Sequence, residues 1–281
     1  MKIKISAEST IDLSKELIDE FDISVIPFQV ILGDKESLDG VITPDDIYDY
    51  VDRTGVLPKT SAINVATYGE YFDNLLKEND VVIHFCLSSG ISSACNNAIM
   101  AASERKNVYV VDTKSLSTGI ALQAIYASQL AKEGKEPEEI VKAVEARIPY
   151  DQTSFVLATV EYLHKGGRCS SLARLGALLF RIRPQIIMAE GKMGPGKKYS
   201  GKQVDCVTEY CKDTLAQFNN PDLSIGFVTH SGATPDMIEI AKKAMEDRGF
   251  KRVLVTRAGA TISSHCGPKC LGILYMNDGG R

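Results

Sequence analysis

The chain has 281 residues, of which 44% are hydrophobic and 24% charged, and a formal net charge of −4. Its length exceeds the usual ~100–150 residues of one domain, and its composition is that of a globular protein, which excludes a disordered chain and a coiled coil. The charge is uneven: residues 162–204 carry nine Lys and Arg against Glu190 alone, a local +8 that leaves −12 for the rest and points to an anionic partner.

In chain order, residues 1–6 lack the continuous apolar stretch of a signal peptide, and no later segment approaches the ~20 apolar residues of a membrane span. Seven cysteines without framework spacing read as reduced thiols. Together these features predict a cytoplasmic protein. Strands are expected over 2–6 and 23–32, and Thr43-Pro44-Asp45-Asp46 opens a helix with Thr as N-cap, Pro at the first helical position and acids in the first turn. A helix over 64–78, a buried strand over 81–87, a helix over 91–106, a strand over 108–112 and a helix over 117–134 follow. A further helix after Pro137 ends near Pro149-Tyr150, which divides the chain into domains 1–150 and 151–281.

The second half offers a strand over 154–160, an amphipathic stretch over 170–180, a hairpin of 184–189 and 192–197 turning at Glu190-Gly191, and a helix over 201–218. A strand over 223–229, a helix over 235–248 and strands over 252–256 and 271–276 complete it. Strands separated by helical patterns imply an α/β fold: an N-terminal, mainly parallel-sheet domain with flanking helices and a C-terminal α/β domain.

Ligands of open α/β sheets collect at the C-terminal strand ends. Here those ends are rich in hydroxyls: Ser9 and Thr10, the run Ser88-Ser89-Gly90-Ile91-Ser92-Ser93, and Thr113, Ser115, Ser117 and Thr118; Pro58-Lys59-Thr60-Ser61 adds two more. Hydroxyls and backbone N–H groups at helix N-termini suit an anion, although capping is the commoner role of each Ser or Thr. His265, read as lying in a loop before the last strand, could donate to that anion. Cys266 and Cys270 beside it lack the second pair that structural zinc needs, so no metal is expected. The nucleophile elbow, the Walker A motif and the dinucleotide-binding glycine pattern are all missing from the sequence.

In order along the chain, Ser9-Thr10-Ile11-Asp12-Leu13, Pro58-Lys59-Thr60-Ser61, Leu87-Ser88-Ser89-Gly90-Ile91-Ser92, Val110-Val111-Asp112-Thr113, Lys165-Gly166-Gly167-Arg168, Pro184-Gln185-Ile186-Ile187 and His265-Cys266-Gly267-Pro268 resemble the DegV family of bacterial fatty-acid-binding proteins, the B subunits of fatty acid kinase. The resemblance implies a long-chain fatty acid held between an N-terminal parallel-sheet domain and a C-terminal domain with a mixed sheet. Thr60, Ser92 and His265 would hold its carboxylate, with Ser61 and Ser93 as adjacent candidates. It implies no catalysis, metal or cofactor: a separate fatty acid kinase catalytic subunit phosphorylates the bound carboxylate for phospholipid synthesis, and Arg168 lies where the family engages that kinase. The sequence departs from the family pattern at Ser92-Ser93-Ala94-Cys95, where Ser-Gly-Thr-Tyr is usual, and at Tyr199-Ser200-Gly201-Lys202, where an arginine is expected.

Such a ligand needs a dry tunnel, because burying ~14 methylenes at ~0.8 kcal/mol each contributes ~11 kcal/mol before entropic costs. Candidate lining residues are Phe28, Ile91, Ile99, Met100, Leu116, Ile120, Leu163, Leu178 and Phe180, for which ordinary core packing is the competing role. Leu172, Leu175, Leu178 and Leu179 beside Arg168, Arg174, Arg181 and Arg183 suggest a lid that touches the kinase or, transiently, an anionic membrane surface, the alternative being a solvated basic helix packed on its own domain. An alternative function is an acyl hydrolase or transferase with Ser92 as nucleophile, His265 as base and Asp112 as orienter. Nucleic acid as a partner conflicts with the overall acidity and the missing recognition motif.

Overall fold

The computed structural model describes residues 1–169 and 182–280. The expected amphipathic lid over 170–180, including Leu178 and Phe180, therefore falls outside the described residues.

The N-terminal part is built on a four-stranded, all-parallel sheet in the order β2-β1-β6-β7, from β1 (Ile3–Glu8), β2 (Ile23–Ile26), β6 (Val81–Cys86) and β7 (Val108–Asp112). Every residue of β6 is buried, which is why it reads as a continuous apolar run broken only by His84. The expected strand over 23–32 splits at Pro27: β2 joins the parallel sheet, whereas β3 (Gln29–Leu32) pairs antiparallel with β4 (Lys35–Leu38) and β5 (Lys59–Ser61). Proline has no N–H to give a ladder, so the chain changes sheets there.

Helices α1 (Lys15–Phe21), α2 (Pro44–Thr54), α3 (Val65–Leu76), α4 (Ala94–Ala102), α5 (Thr118–Lys132) and α6 (Pro137–Arg147) complete this part. The start of α2 is a capping box in which the Thr43 hydroxyl accepts from Asp46 N–H and the Asp46 carboxylate accepts from Thr43 N–H. Helix α4 begins three residues later than the apolar pattern suggests, because Ile91 and Ser92 donate their N–H groups back to Ser88 in a turn.

The C-terminal part is a six-stranded mixed sheet in the order β10-β9-β8-β13-β11-β12. Its strands are β8 (Asp151–Val156), β9 (Arg183–Ala189), β10 (Lys192–Tyr199), β11 (Gly226–Ser231), β12 (Val253–Arg257) and β13 (Cys270–Met276). The β11–β12 pair is parallel and the remaining pairs are antiparallel. Helices α7 (Glu161–Lys165), α8 (Gln203–Gln217), α9 (Pro235–Arg248) and α10 (Ala260–Cys266) flank it. One apolar core runs from Ile5 in β1 through Ile120 and Ile125 in α5 to Leu274 in β13, so residues on both sides of position 150 pack into the same cluster. A second core, containing Tyr210, Met245 and Tyr275, lies under α8 and α9.

Candidate functional site

Helix α10 is held from outside its own segment. Its first N–H groups, on Ala260 and Thr261, donate to the Asp39 carboxylate at 2.7 and 3.1 Å, and Gly259 N–H donates to Asp12 at 2.8 Å. Carboxylates suit a helix N-terminus because they satisfy orphan donors and face the positive end of the dipole. Asp39 is fixed in turn by the Ser9 hydroxyl at 3.0 Å. Nothing in the sequence announces this pairing, because Asp39 and Ala260 are 221 residues apart.

The far end of α10 presents His265, which belongs to the last helical turn rather than the expected loop. Its Nε2 lies 2.9 Å from Thr60 Oγ1 on β5, while Nδ1 is buried and makes no hydrogen bond among the described residues. A Cβ on Gly166 would stand 2.8 Å from Nδ1, so glycine there lets the end of α7 close against the ring. Burial, with the Arg168 charge nearby, pushes the imidazole down to about 4, so His265 is neutral at pH 7. A neutral ring with its proton on Nε2 donates to Thr60 and leaves an acceptor, rather than an N–H, unsatisfied at Nδ1. The Thr60 hydroxyl hydrogen is then directed elsewhere.

A cavity of about 320 Å³ opens in front of this pair, within the ~300–1,000 Å³ range of small-molecule sites. Thr60, Ser61, Ser92, Ser93, Arg168 and His265 supply its polar wall, and Phe28, Leu87, Ile91, Leu116, Leu163, Met193 and Ile262 its apolar wall. Two outer cavities share part of this lining: one of about 640 Å³ through Ile91, Ser92, Ser93, Arg168 and Met193, the other of about 410 Å³ through Thr60, Arg168 and His265. The outer pair also contains Lys59, Lys165 and Lys192. Arg168, whose Nη1 donates to Gly166 O at 2.6 Å, lies where all three meet. The serine loop that bears Ser92 is drawn against the turn of the β9–β10 hairpin: Ser88 Oγ donates to Gly191 O at 2.7 Å, and a Cβ on Gly90 would meet that oxygen at 2.3 Å.

The other strand-end hydroxyls serve the fold. Thr10 donates to Glu8, Thr113 to Cys86 O, Ser117 to Asp12, and Ser115 and Thr118 pair with Thr153 and Thr229. Only the Thr60–Ser61 and Ser92–Ser93 pairs among the expected hydroxyls line the main cavity. Ile99 and Met100 do not line it: they are 47% and 60% exposed on the outer face of α4. Ile120 is packed in the core. Met193, Thr261 and Ile262 line the cavity although sequence reading missed them, since a hairpin edge and a short helix carry no periodic signal. The arrangement of Ser92, His265 and Asp112 as a hydrolytic triad is not assembled: His265 is bonded to Thr60, and the Asp112 carboxylate accepts from Lys114 and from Ser89 N–H.

None of the described cysteines is in a disulfide, and all are buried. Among the described residues no helix is long and apolar enough to cross a membrane.

The whole chain is similar to known proteins. A family model described as an uncharacterised protein of the DegV family matches residues 2–278. A DegV domain-containing protein of Caldanaerobacter subterraneus subsp. tengcongensis is 27% identical over 279 residues, 98% of each chain. A fatty acid-binding protein of Thermotoga maritima is 28% identical over 281 residues, 97% of this chain and 96% of that one. The solved structure of a DegV family protein from Thermus thermophilus, described for its fatty acid binding, matches with a TM-score of 0.90 at 27% identity over 98% of this chain and 99% of that one. With its sequence matched by the family model from residue 2 to residue 278 and its fold matched over nearly its full length, the chain belongs to the DegV family.

Proposed function

We propose that this protein binds a long-chain fatty acid and presents its carboxyl group to a fatty acid kinase. The observation that carries the reading is a cavity whose lining combines hydroxyls and a cation with apolar side chains, the two chemical halves of such a ligand. In this reading the carboxylate sits among the hydroxyls of Thr60, Ser61, Ser92 and Ser93, with His265 orienting Thr60 and Arg168 supplying charge. The acyl chain lies along Phe28, Ile91, Leu116 and Leu163. Fatty acid binding by the Thermotoga and Thermus relatives supports it.

Native mass spectrometry of the protein purified from bacteria tests the lipid half. The expected result is a co-purifying mass in the fatty acid range, reduced at least tenfold in occupancy by Thr60→Ala or His265→Ala; a ligand-free spectrum overturns the reading. For the kinase half, acyl-phosphate formation from ATP by a fatty acid kinase catalytic subunit should require this protein. It should fall in Arg168→Glu under conditions where both proteins carry equal lipid, because Arg168 sits at the rim where the cavities open. Equal rates for the two proteins would remove Arg168 from the docking surface.

A further inference from the structure

One face of the parallel sheet carries polar groups where a core strand is normally apolar. Strands β1 and β6 pair in parallel with Ser6 beside His84, and side chains alternate between faces, so Glu8 and Cys86, each two residues on, share that face. Ala7 and Phe85 take the opposite one. Helix α3 covers the polar side: the rings of Tyr68 and Phe72 stand edge-on to His84, with centroids 5.4 and 5.2 Å away. Helix α4 adds Cys95, whose thiol hydrogen-bonds with that of Cys86. Glu8, His84, Cys86 and Cys95 are all fully buried.

A carboxyl group in the interior has to keep its proton, find a cation or meet a metal. Among the described residues Glu8 has no ion-pair partner; its carboxylate accepts from Leu87 N–H and from the hydroxyls of Tyr68 and Thr10. Without a metal it holds its proton into the neutral range, and His84 is uncharged. A carboxylate oxygen of Glu8, a ring nitrogen of His84 and Cys86 Sγ all lie within 4.8 Å of one another. Two donors on a tetrahedral zinc, with Zn–N ~2.0 Å and Zn–S ~2.3 Å, stand roughly 3.3–3.8 Å apart, so these three need shifts of about an ångström to share one ion. The His84 ring has a single polar partner, Ser6, whose Oγ lies 2.8 Å from Nδ1, and Nε2 is buried with none among the described residues. One ring nitrogen is thereby left to a metal. Ser6 on the histidine, with Tyr68 and Leu87 N–H on the carboxylate, matches the outer hydrogen bonds that orient ligands in metal sites.

We infer that Glu8, His84, Cys86 and Cys95 form a closed structural site for a zinc-class divalent cation. Mixed N, S and O donors suit zinc, whereas calcium and magnesium take oxygen. Binding releases the protons of Glu8 and of the two thiols. Because Cys86 ends β6 and Cys95 lies in α4, the ion ties together the two ends of the loop that carries Ser92 and Ser93. The site does not depend on the fatty acid reading.

The test uses the full chain, unfolded in urea with a reductant and refolded with zinc or cobalt, since a closed site loads as the chain folds. After gel filtration, elemental analysis should find one zinc per chain, and the cobalt form should show thiolate-to-metal charge-transfer absorption with the intense visible bands of a tetrahedral ion. Cys86→Ser and Cys95→Ser should each weaken the charge-transfer band. Zinc affinity should fall about 100-fold or more in His84→Gln and about 10–100-fold in Ser6→Ala. Cys206→Ser, in the second core, controls for metal held by unrelated thiols and should change neither readout. Should His84→Gln fail to refold, as judged by circular dichroism, the milder Cys95→Ser and Ser6→Ala decide the question. Wild type that refolds without retaining zinc, or a cobalt spectrum unchanged in both Cys86→Ser and Cys95→Ser, overturns the site and leaves fatty acid binding untouched.

Discussion

Glu8, Asp12, His84 and His265 are buried titratable residues whose shifts bear on how this protein responds to pH. Burial pushes Glu8 up to about 7, against hydrogen bonds from Leu87 N–H and Tyr68. Burial likewise raises Asp12 to about 8, with the Asp39 charge adding to the rise and Ser117 and Gly259 N–H opposing it. His84 is pushed down to about 3 by burial, and His265 to about 4 by burial and Arg168. An acid raised on folding keeps its proton after the unfolded chain has lost it, so the stability it lends falls as pH rises through its native value. A histidine lowered on folding behaves oppositely, costing stability as pH falls from ~6.5. Between pH ~4.5 and ~6.5 these two pairs oppose each other; above ~6.5, of the four, Glu8 and Asp12 alone act. Stability measured by urea unfolding should therefore decline between pH ~6.5 and ~8.5, by up to ~1.4 kcal/mol per pH unit for each proton released. Asp12→Asn keeps an acceptor for Gly259 N–H and puts a non-titrating amide beside Ser117, whose hydroxyl donates to Asp12 in the native protein, and it tolerates the backbone there, at φ 54. That variant should flatten the decline; an unchanged slope would move the titration to another group.

Among the secondary-structure elements, α10 is the one on which the site depends. At 7 residues it is too short to be stable alone, so its position depends on the Asp39 and Asp12 carboxylates at its start and on Gly166 against its end. Asp39→Ala should cost about 1–2 kcal/mol in urea unfolding with no change in m-value, and should lower fatty acid affinity because His265 loses its anchor. Asp39→Asn, which keeps an acceptor, should recover part of both; affinity unchanged in Asp39→Ala would show that α10 holds His265 without the cap. Elements with self-contained signals were legible in the sequence: the Thr43 box, Pro137 at the start of α6, and β7 over the expected residues. Elements defined by distant partners were not. Strand β5 is three residues that exist as a strand because β3 lies beside them, and α10 needs a carboxylate 221 residues away.

The two halves of the whole molecule are joined by shared core and by one buried ionic cluster. Arg147, at the end of α6, donates from Nε to Asp278 at 2.6 Å and from Nη2 to Asp222 at 2.8 Å, and its guanidinium lies 4.6 Å from the centre of the Tyr126 ring. The Asp278 side chain is fully buried, so removing the cation strands a charge in the interior. Arg147→Ala should lower stability by about 3–5 kcal/mol, visible as a large drop in Tm; a drop smaller than that of an average surface substitution would mean water reaches the aspartates. The +8 of residues 162–204 also acts at this scale, since the rim residues Lys165, Arg168 and Lys192 belong to it. Association with the proposed kinase partner should slow steeply as salt is raised, and rates independent of salt would exclude steering by this segment.

The sequence by itself determined the alternation of strands and helices, the class of fold, and the residue types at the site, because periodicity, caps and turn residues act over a few positions. The resemblance to the DegV family, not the spacing of residues, singled out Thr60, Ser61, Ser92, Ser93, Arg168 and His265, and these six side chains line one cavity. Only the tertiary structure decided which hydroxyls face that cavity and which are consumed by Asp12, Thr153 or Thr229, since each choice depends on a partner from another element. It alone set Thr60 against His265 across 205 residues. Hydrogen-bond partners and cavity walls are made by chain segments that meet only after packing, and no local pattern encodes the meeting.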